Sequence, residues 1–232
     1  MTNVRQWTML WLLLIMGSAT ALSVNYPKVF GDDWTSAAQF VNEHRAAWKL
    51  VFDEFGVDAR LAESVVFPEL IRYSKWQDEI ETAAVNGLYV QHGTSGANFS
   101  IGRFQMKPSF AEEVETAWNQ SALSKEYGFV FNLQDGVEAR RSRIRRLGTL
   151  EGQCRYLAIF IRLQFLCHPQ LQPLPLKEQA GMLATIYNCS FSISWEQACR
   201  LRHQRTFHTD MIATRHTRKY CYADIARAFI DS

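Results

Sequence analysis

Apolar residues recur at helical spacing along most of the chain. Between 33 and 55, Trp34, Ala37, Phe40, Val41, His44, Trp48, Val51, Phe52 and Phe55 fall near one face, which predicts an amphipathic helix. Asp32 or Asp33 can cap its start, and Gly56 can stop it. A second helix is expected from an Asp58 cap through Val66, with Pro68 opening a separate segment over 68–73. A short helix over 78–84 follows. Residues 85–104 hold glycines 87, 93, 96 and 102 among polar and β-favouring residues, which reads as loop with a small hairpin. Ser109 and Glu112 form a capping-box pattern that starts a helix to about 118. Asp135 to Glu138 opens another, ended by Gly148. Residues 150–167 are a long apolar helix closed by Pro169, and 176–187, 194–202 (a Ser194/Gln197 capping box) and 218–230 complete the set. The expected fold is predominantly α, an α+β single domain with a minor hairpin. The prolines at 169, 173 and 175 mark a turn between helices, not a boundary.

The N-terminus departs from this pattern. A short polar start with Arg5 precedes the apolar run 9–16, and Gly17-Ser18-Ala19-Thr20-Ala21 ends in Ala-x-Ala. This is the three-part pattern of a cleavable export signal over 1–21, and the run is too short to span a bilayer. The mature chain is therefore expected to be 22–232, in a periplasm or outside the cell. The full sequence, 47% hydrophobic and 21% charged, suits a packed core and excludes a disordered chain.

A net charge of +2 gives no global field for nucleic acid. The cluster Arg140, Arg141, Arg143, Arg145 and Arg146 reads first as a solvated helix face; in an exported protein it could also meet an anionic envelope surface. Five cysteines, 154, 167, 189, 199 and 221, leave at least one unpaired within a chain. Cys189 and Cys199 are a candidate local pair, and free thiols on helix faces are the alternative. The six histidines contain no His-Glu-x-x-His, and Cys199, His203 and His208 lack the paired spacing of a zinc site. No metal or cofactor is called for.

Four local features carry candidate chemistry. Glu63-Ser64 precedes Val65, Val66, Phe67 and Pro68. If Pro68 breaks the helix, Glu63 lies near its carbonyl end, where partial negative charge and apolar neighbours favour the neutral acid. Such an acid suits protonation of a glycosidic leaving group; the plain alternative is a solvated surface Glu. Gly102-Arg103-Phe104-Gln105-Met106 offers a close backbone approach and an amide donor and acceptor, or merely a turn into a helix. Tyr187-Asn188 ends an apolar helix, and Thr217-Arg218-Lys219-Tyr220-Cys221-Tyr222 precedes the last; both could equally be core stripes.

In this order, the four motifs resemble the soluble lytic transglycosylase family over residues 58–230. The resemblance implies a lysozyme-like, goose-type fold that cleaves the peptidoglycan glycan strand. It matches Glu63 to the single catalytic acid/base and Gln105 and Met106 to the sugar groove. Tyr187 and Asn188 match the pair near the catalytic carboxyl, and Tyr220, or alternatively Tyr222, the late tyrosine. Ser64 and Gly102 accompany their motifs as substrate-side residues. The implied chemistry is non-hydrolytic: Glu63 protonates the oxygen between N-acetylmuramic acid and N-acetylglucosamine. It then takes the C6 hydroxyl proton as a 1,6-anhydro ring closes.

Two departures stand out. Glu63 and Gly102 lie 39 positions apart, much further than the family pattern, so 69–100 reads as an enlarged lobe or insertion. Its Trp76, Asp78, Glu79, Glu81, Tyr89 and His92 suit either a glycan groove or a plain extension of the fold. Cys189-Ser190 follows Asn188 where the family often has Ala-Gly. A carboxylate from 78–81 facing Glu63 would instead make a hydrolytic muramidase. A catalytically silent wall-binding protein is the reading from a different class.

Overall fold

The computed structural model describes residues 24–73, 82–210 and 212–232. The export-signal expectation over 1–21 and residues 76–81 lie outside these. The described chain is predominantly helical, with one two-stranded antiparallel sheet. Helices α1 (Tyr26–Phe30) and α2 (Asp32–Glu54) come first, then α3 (Ala59–Tyr73), α4 (Thr82–His92), α5 (Pro108–Gln120) and α6 (Ala122–Glu126). They are followed by α7 (Val137–Leu147), α8 (Leu150–Cys167), α9 (Leu176–Cys189) and α10 (Trp195–Leu201). Strands β1 (Arg205–Phe207) and β2 (Tyr220–Cys221) and helix α11 (Tyr222–Ile230) close the chain.

Helix α3 is central. Its residues from Leu61 to Ile71 are buried without interruption, and it packs on α2, α9 and α11. A helix covered on every side loses the amphipathic stripe, so its run of Val65, Val66, Phe67, Leu70 and Ile71 carries no polar face. Helix α8 packs on α2, α5 and α7, extending the same core. Where α9 meets α11, a Cβ on Gly181 would lie 2.4 Å from the Arg227 guanidinium carbon, so glycine there leaves the space that the Arg227 side chain occupies.

Several expected boundaries hold. Helix α2 covers 33–55 almost fully, α8 matches its expected range, and the Ser194/Gln197 capping box is formed. Asp58 accepts from the Leu61 amide at 2.8 Å, at the expected start of α3. Others differ, each for a physical reason. Pro68 does not end α3, which continues to Tyr73. The missing Pro68 N–H costs one intrahelical bond, and burial against three helices outweighs that loss. Residues 85–92 are helix rather than loop, continuing the helix expected over 78–84, because tertiary partners complete the end of α4: Arg140 donates to the carbonyls of Val90 at 2.9 Å and Gln91 at 3.1 Å. The expected small hairpin shrinks to one bridge, Ile101 to Met106.

Helix α5 starts at Pro108, whose fixed φ serves the first turn, so Ser109 falls inside it and its amide donates to Asn98 Oδ1 at 3.2 Å. Asp135 binds Arg140 instead of capping α7, where Gly136 takes the cap position. Residues 220–221 join β1, which delays α11 to Tyr222. All five cysteines are free, so the candidate Cys189–Cys199 pair is not formed.

Candidate active site

The site is built where the end of α3, the 98–110 turn and the end of α9 converge on a groove of about 310 Å³. At its base is Glu69, one residue after Pro68 and within the last turns of α3. Its residue surface is 5% exposed, and burial raises the carboxyl above the ordinary range. Three neighbours partly oppose that rise: the Arg72 cation, the Tyr222 hydroxyl and the Lys107 cation. Arg72 Nη1 lies 3.0 Å from Glu69 Oε2. Arg72 is itself held in place, since its Nε donates to the His208 carbonyl at 3.2 Å and its guanidinium lies 4.5 Å from the Phe207 ring centre.

Two tyrosines flank Glu69. The Tyr222 hydroxyl lies beside the carboxyl and donates to the Val65 carbonyl at 3.2 Å. Tyr187 donates to the Phe104 carbonyl at 2.6 Å and packs edge-on to Phe110 and Phe160. Burial and the Glu69 charge raise both hydroxyls well above the ordinary tyrosine value, so both remain donors.

The opposite wall is the tight turn from Ile101 to Met106. Gly102 has φ of 67°, and a Cβ there would lie 1.7 Å from Gln153 Nε2. Gln153 accepts from the Phe104 amide at 2.9 Å and donates to the Leu147 carbonyl at 2.6 Å, which clamps the turn onto α8. Gln105 is held at φ of 52°, the one described non-glycine in the left-handed region. Its side chain folds back to the Gly102 carbonyl at 2.9 Å. Such strain persists only where surrounding contacts fix it, and it clusters at functional sites.

The structure thus brings together Gln105, Met106, Tyr187 and Asn188, all lining the groove. Gly102 shapes the turn by leaving the space that Gln153 occupies. Three expected residues fall elsewhere. Glu63 is 1% exposed, and both its oxygens accept from Arg45, Nε at 2.9 Å and Nη2 at 2.9 Å. This forked geometry is that of an ion pair. Glu63 does not lie near a helix end, because α3 continues past Pro68 to Tyr73; Glu69 lies nearer that end. The Ser64 hydroxyl is spent on the Leu61 carbonyl at 2.6 Å. Tyr220 packs on Phe30 and Tyr26, leaving Tyr222 as the tyrosine at the carboxyl.

In the 69–100 segment, Tyr89 is fully buried and bound to Glu112 and Arg143, so it faces no groove. Asp78, Glu79 and Glu81 lie outside the described residues. A second groove-lining carboxylate is Glu113 on α5, whose carboxyl burial also raises. Sequence reading passed over Glu69, although Phe67-Pro68-Glu69 sets an acid inside an apolar run and brings the spacing to Gly102 down to 33 positions. Comparison with protein-family models, curated proteins and solved structures found no match to this chain.

Proposed function

We propose that the protein cleaves the glycan strand of peptidoglycan as a lytic transglycosylase, with Glu69 as its single general acid/base. The observation that carries this reading is a buried carboxyl, raised by its surroundings, at the base of a groove lined by hydroxyls and amides. An acid held toward its neutral form can protonate the oxygen between N-acetylmuramic acid and N-acetylglucosamine. The resulting carboxylate is stabilised by Arg72 and Tyr222. It then accepts the muramoyl C6 proton as the 1,6-anhydro ring closes, so no activated water is required. Gln105 and Asn188 supply the donors and acceptors that a sugar needs. The motif order that resembles the transglycosylases supports the same reading, with the acid moved from Glu63 to Glu69 and the late tyrosine from Tyr220 to Tyr222.

One observation favours a second reading. Glu113 lines the same groove, and two carboxyls across a glycan can activate water and make a hydrolase. Digestion of purified sacculi by the wild type, Glu69→Gln and Glu113→Gln, with mass analysis of the products, separates the two. Anhydromuropeptides from the wild type and Glu113→Gln but not Glu69→Gln support the transglycosylase. Reducing ends that depend on both carboxyls support the hydrolase, and no product from the wild type rejects both.

A further inference from the structure

Four of the five α7 arginines and the cations of the β1–β2 hairpin are used in opposite ways; the fifth, Arg145, is exposed. On α7, Arg140 is bound to Asp135 and Arg141 to Glu138, while Arg143 and Arg146 both hold Glu115. These charges are neutralised within the molecule, and an anionic surface would have to displace their partners. Between β1 and the end of β2 the balance is different. Arg205, Arg215, Arg218 and Lys219 are all exposed, the only acid from 205 to 221 is Asp210, and none of the four cations is ion-paired among the described residues.

The hairpin is a built feature. Phe207 anchors it in the core beside Tyr222 and Phe30. The Thr214 amide donates to Thr217 Oγ1 at 2.9 Å and the Thr217 amide to the Thr214 carbonyl at 3.1 Å, which fixes the turn that presents Arg215 and His216. Ile212, in the connecting segment, is 80% exposed. A single exposed aliphatic is ordinary on a protein surface. On an unpaired cationic hairpin it completes the two-part pattern of interfacial attachment, charge for the headgroups and an apolar side chain for the acyl boundary. A hydrated anionic polymer would use the charges and gain nothing from Ile212.

We propose that the β1–β2 hairpin docks the protein onto an anionic phospholipid bilayer, with Arg205, Arg215, Arg218 and Lys219 at the headgroups and Ile212 in the interface. The inference is independent of the catalytic reading. Because Arg72 of the groove donates to the His208 carbonyl, a docked hairpin also fixes one end of the groove relative to the membrane.

The test is co-sedimentation of the full chain with phosphatidylcholine vesicles, with and without phosphatidylglycerol. Taking the difference cancels contributions of the apolar N-terminus that ignore headgroup charge. Stronger binding to the anionic vesicles, weakened by salt, is expected. Arg218→Gln with Lys219→Gln should reduce that preference about thirtyfold, at about fivefold per cation. Ile212→Ser should weaken binding to the anionic vesicles severalfold with no change in melting temperature. Arg141→Gln on α7, whose cation is already paired with Glu138, should leave binding unchanged. Equal loss from the α7 and hairpin variants would overturn the proposal. So would an unchanged Ile212→Ser whose binding is fully competed by soluble polyphosphate, the signature of a polymer site.

Discussion

At the residue scale, the acid at position 69 makes two predictions. Its carboxyl is raised by burial, so ionising it costs the folded state stability as pH climbs through and above the ordinary glutamate value of about 4.3. Glu69→Gln stays neutral. It should therefore gain stability relative to the wild type between about pH 4 and neutrality while losing turnover by roughly a hundredfold to ten-thousandfold. Glu63→Gln should keep turnover within an order of magnitude, because Glu63 only holds Arg45. Melting curves at the two pH values and sacculus digestion check both; a Glu63→Gln enzyme as dead as Glu69→Gln would restore the first assignment. The second prediction concerns Arg72, whose charge favours the Glu69 carboxylate. Removing it raises the acid further, so Arg72→Gln should move the alkaline limb of kcat/KM to higher pH, and Arg72→Lys should restore much of the wild-type position. Sequence pattern reached this helix and the physics of an acid near its end, and placed that acid at 63 where the proposal places it at 69. The difference came from letting Pro68 stop α3, which put the helix end about two turns too early.

At the element scale, the turn from Ile101 to Met106 is where backbone conformation, packing and the groove wall meet. Gly102→Ala places a Cβ into the Gln153 amide at a left-handed φ. The conformational penalty of about 1–2 kcal/mol adds to the loss of a buried Gln153 hydrogen bond, for a total of about 3 kcal/mol. A fall of about 10 °C in melting temperature is expected, together with lost glycan binding as Gln105 is displaced. A drop of less than about 3 °C would mean the turn tolerates a side chain by moving Gln153 away. The sequence showed that a glycine turn stood here but not what approached it, because Gln153 is 51 positions away in the chain. The same limit explains the other elements. Helices α2, α8 and α10 were legible because apolar spacing or a local capping box specifies them. Helix α4 and the β1–β2 hairpin were not, because they depend on distant partners: Arg140 for the carbonyls of one, and Phe207 packing on Phe30 and Tyr222 for the other.

At the scale of the whole molecule, the groove needs two walls held in register. One is α3 with α9 and α11, joined by apolar packing. The other includes α5, which faces two ways: Phe110 and Glu113 line the groove, while Glu115 is fully buried on the far side. There Glu115 accepts from Arg143 at 2.6 Å and from Arg146 at 2.8 Å, and is also bound by the Tyr156 hydroxyl. Arg143 reaches on to Tyr89 and Glu112, so one ionic cluster ties α4, α5, α7 and α8. A buried cluster of this kind contributes little against an apolar replacement, but breaking it leaves uncompensated charge. Glu115→Ala should therefore cost about 3–5 kcal/mol, lowering the melting temperature by roughly 10 °C. Glu115→Gln keeps acceptors for the hydroxyl and guanidinium groups and should fall between Ala and the wild type. Because the cluster stands behind the groove wall, turnover of Glu115→Ala at a temperature where it remains folded should fall through weaker glycan binding, with the pH limbs set by Glu69 unmoved. Thermal melts, glycan binding and a pH profile on the same preparations distinguish this from a direct role. A shifted pH limb would place Glu115 in the chemistry, and a loss below about 1 kcal/mol would show that the cluster does not hold the wall.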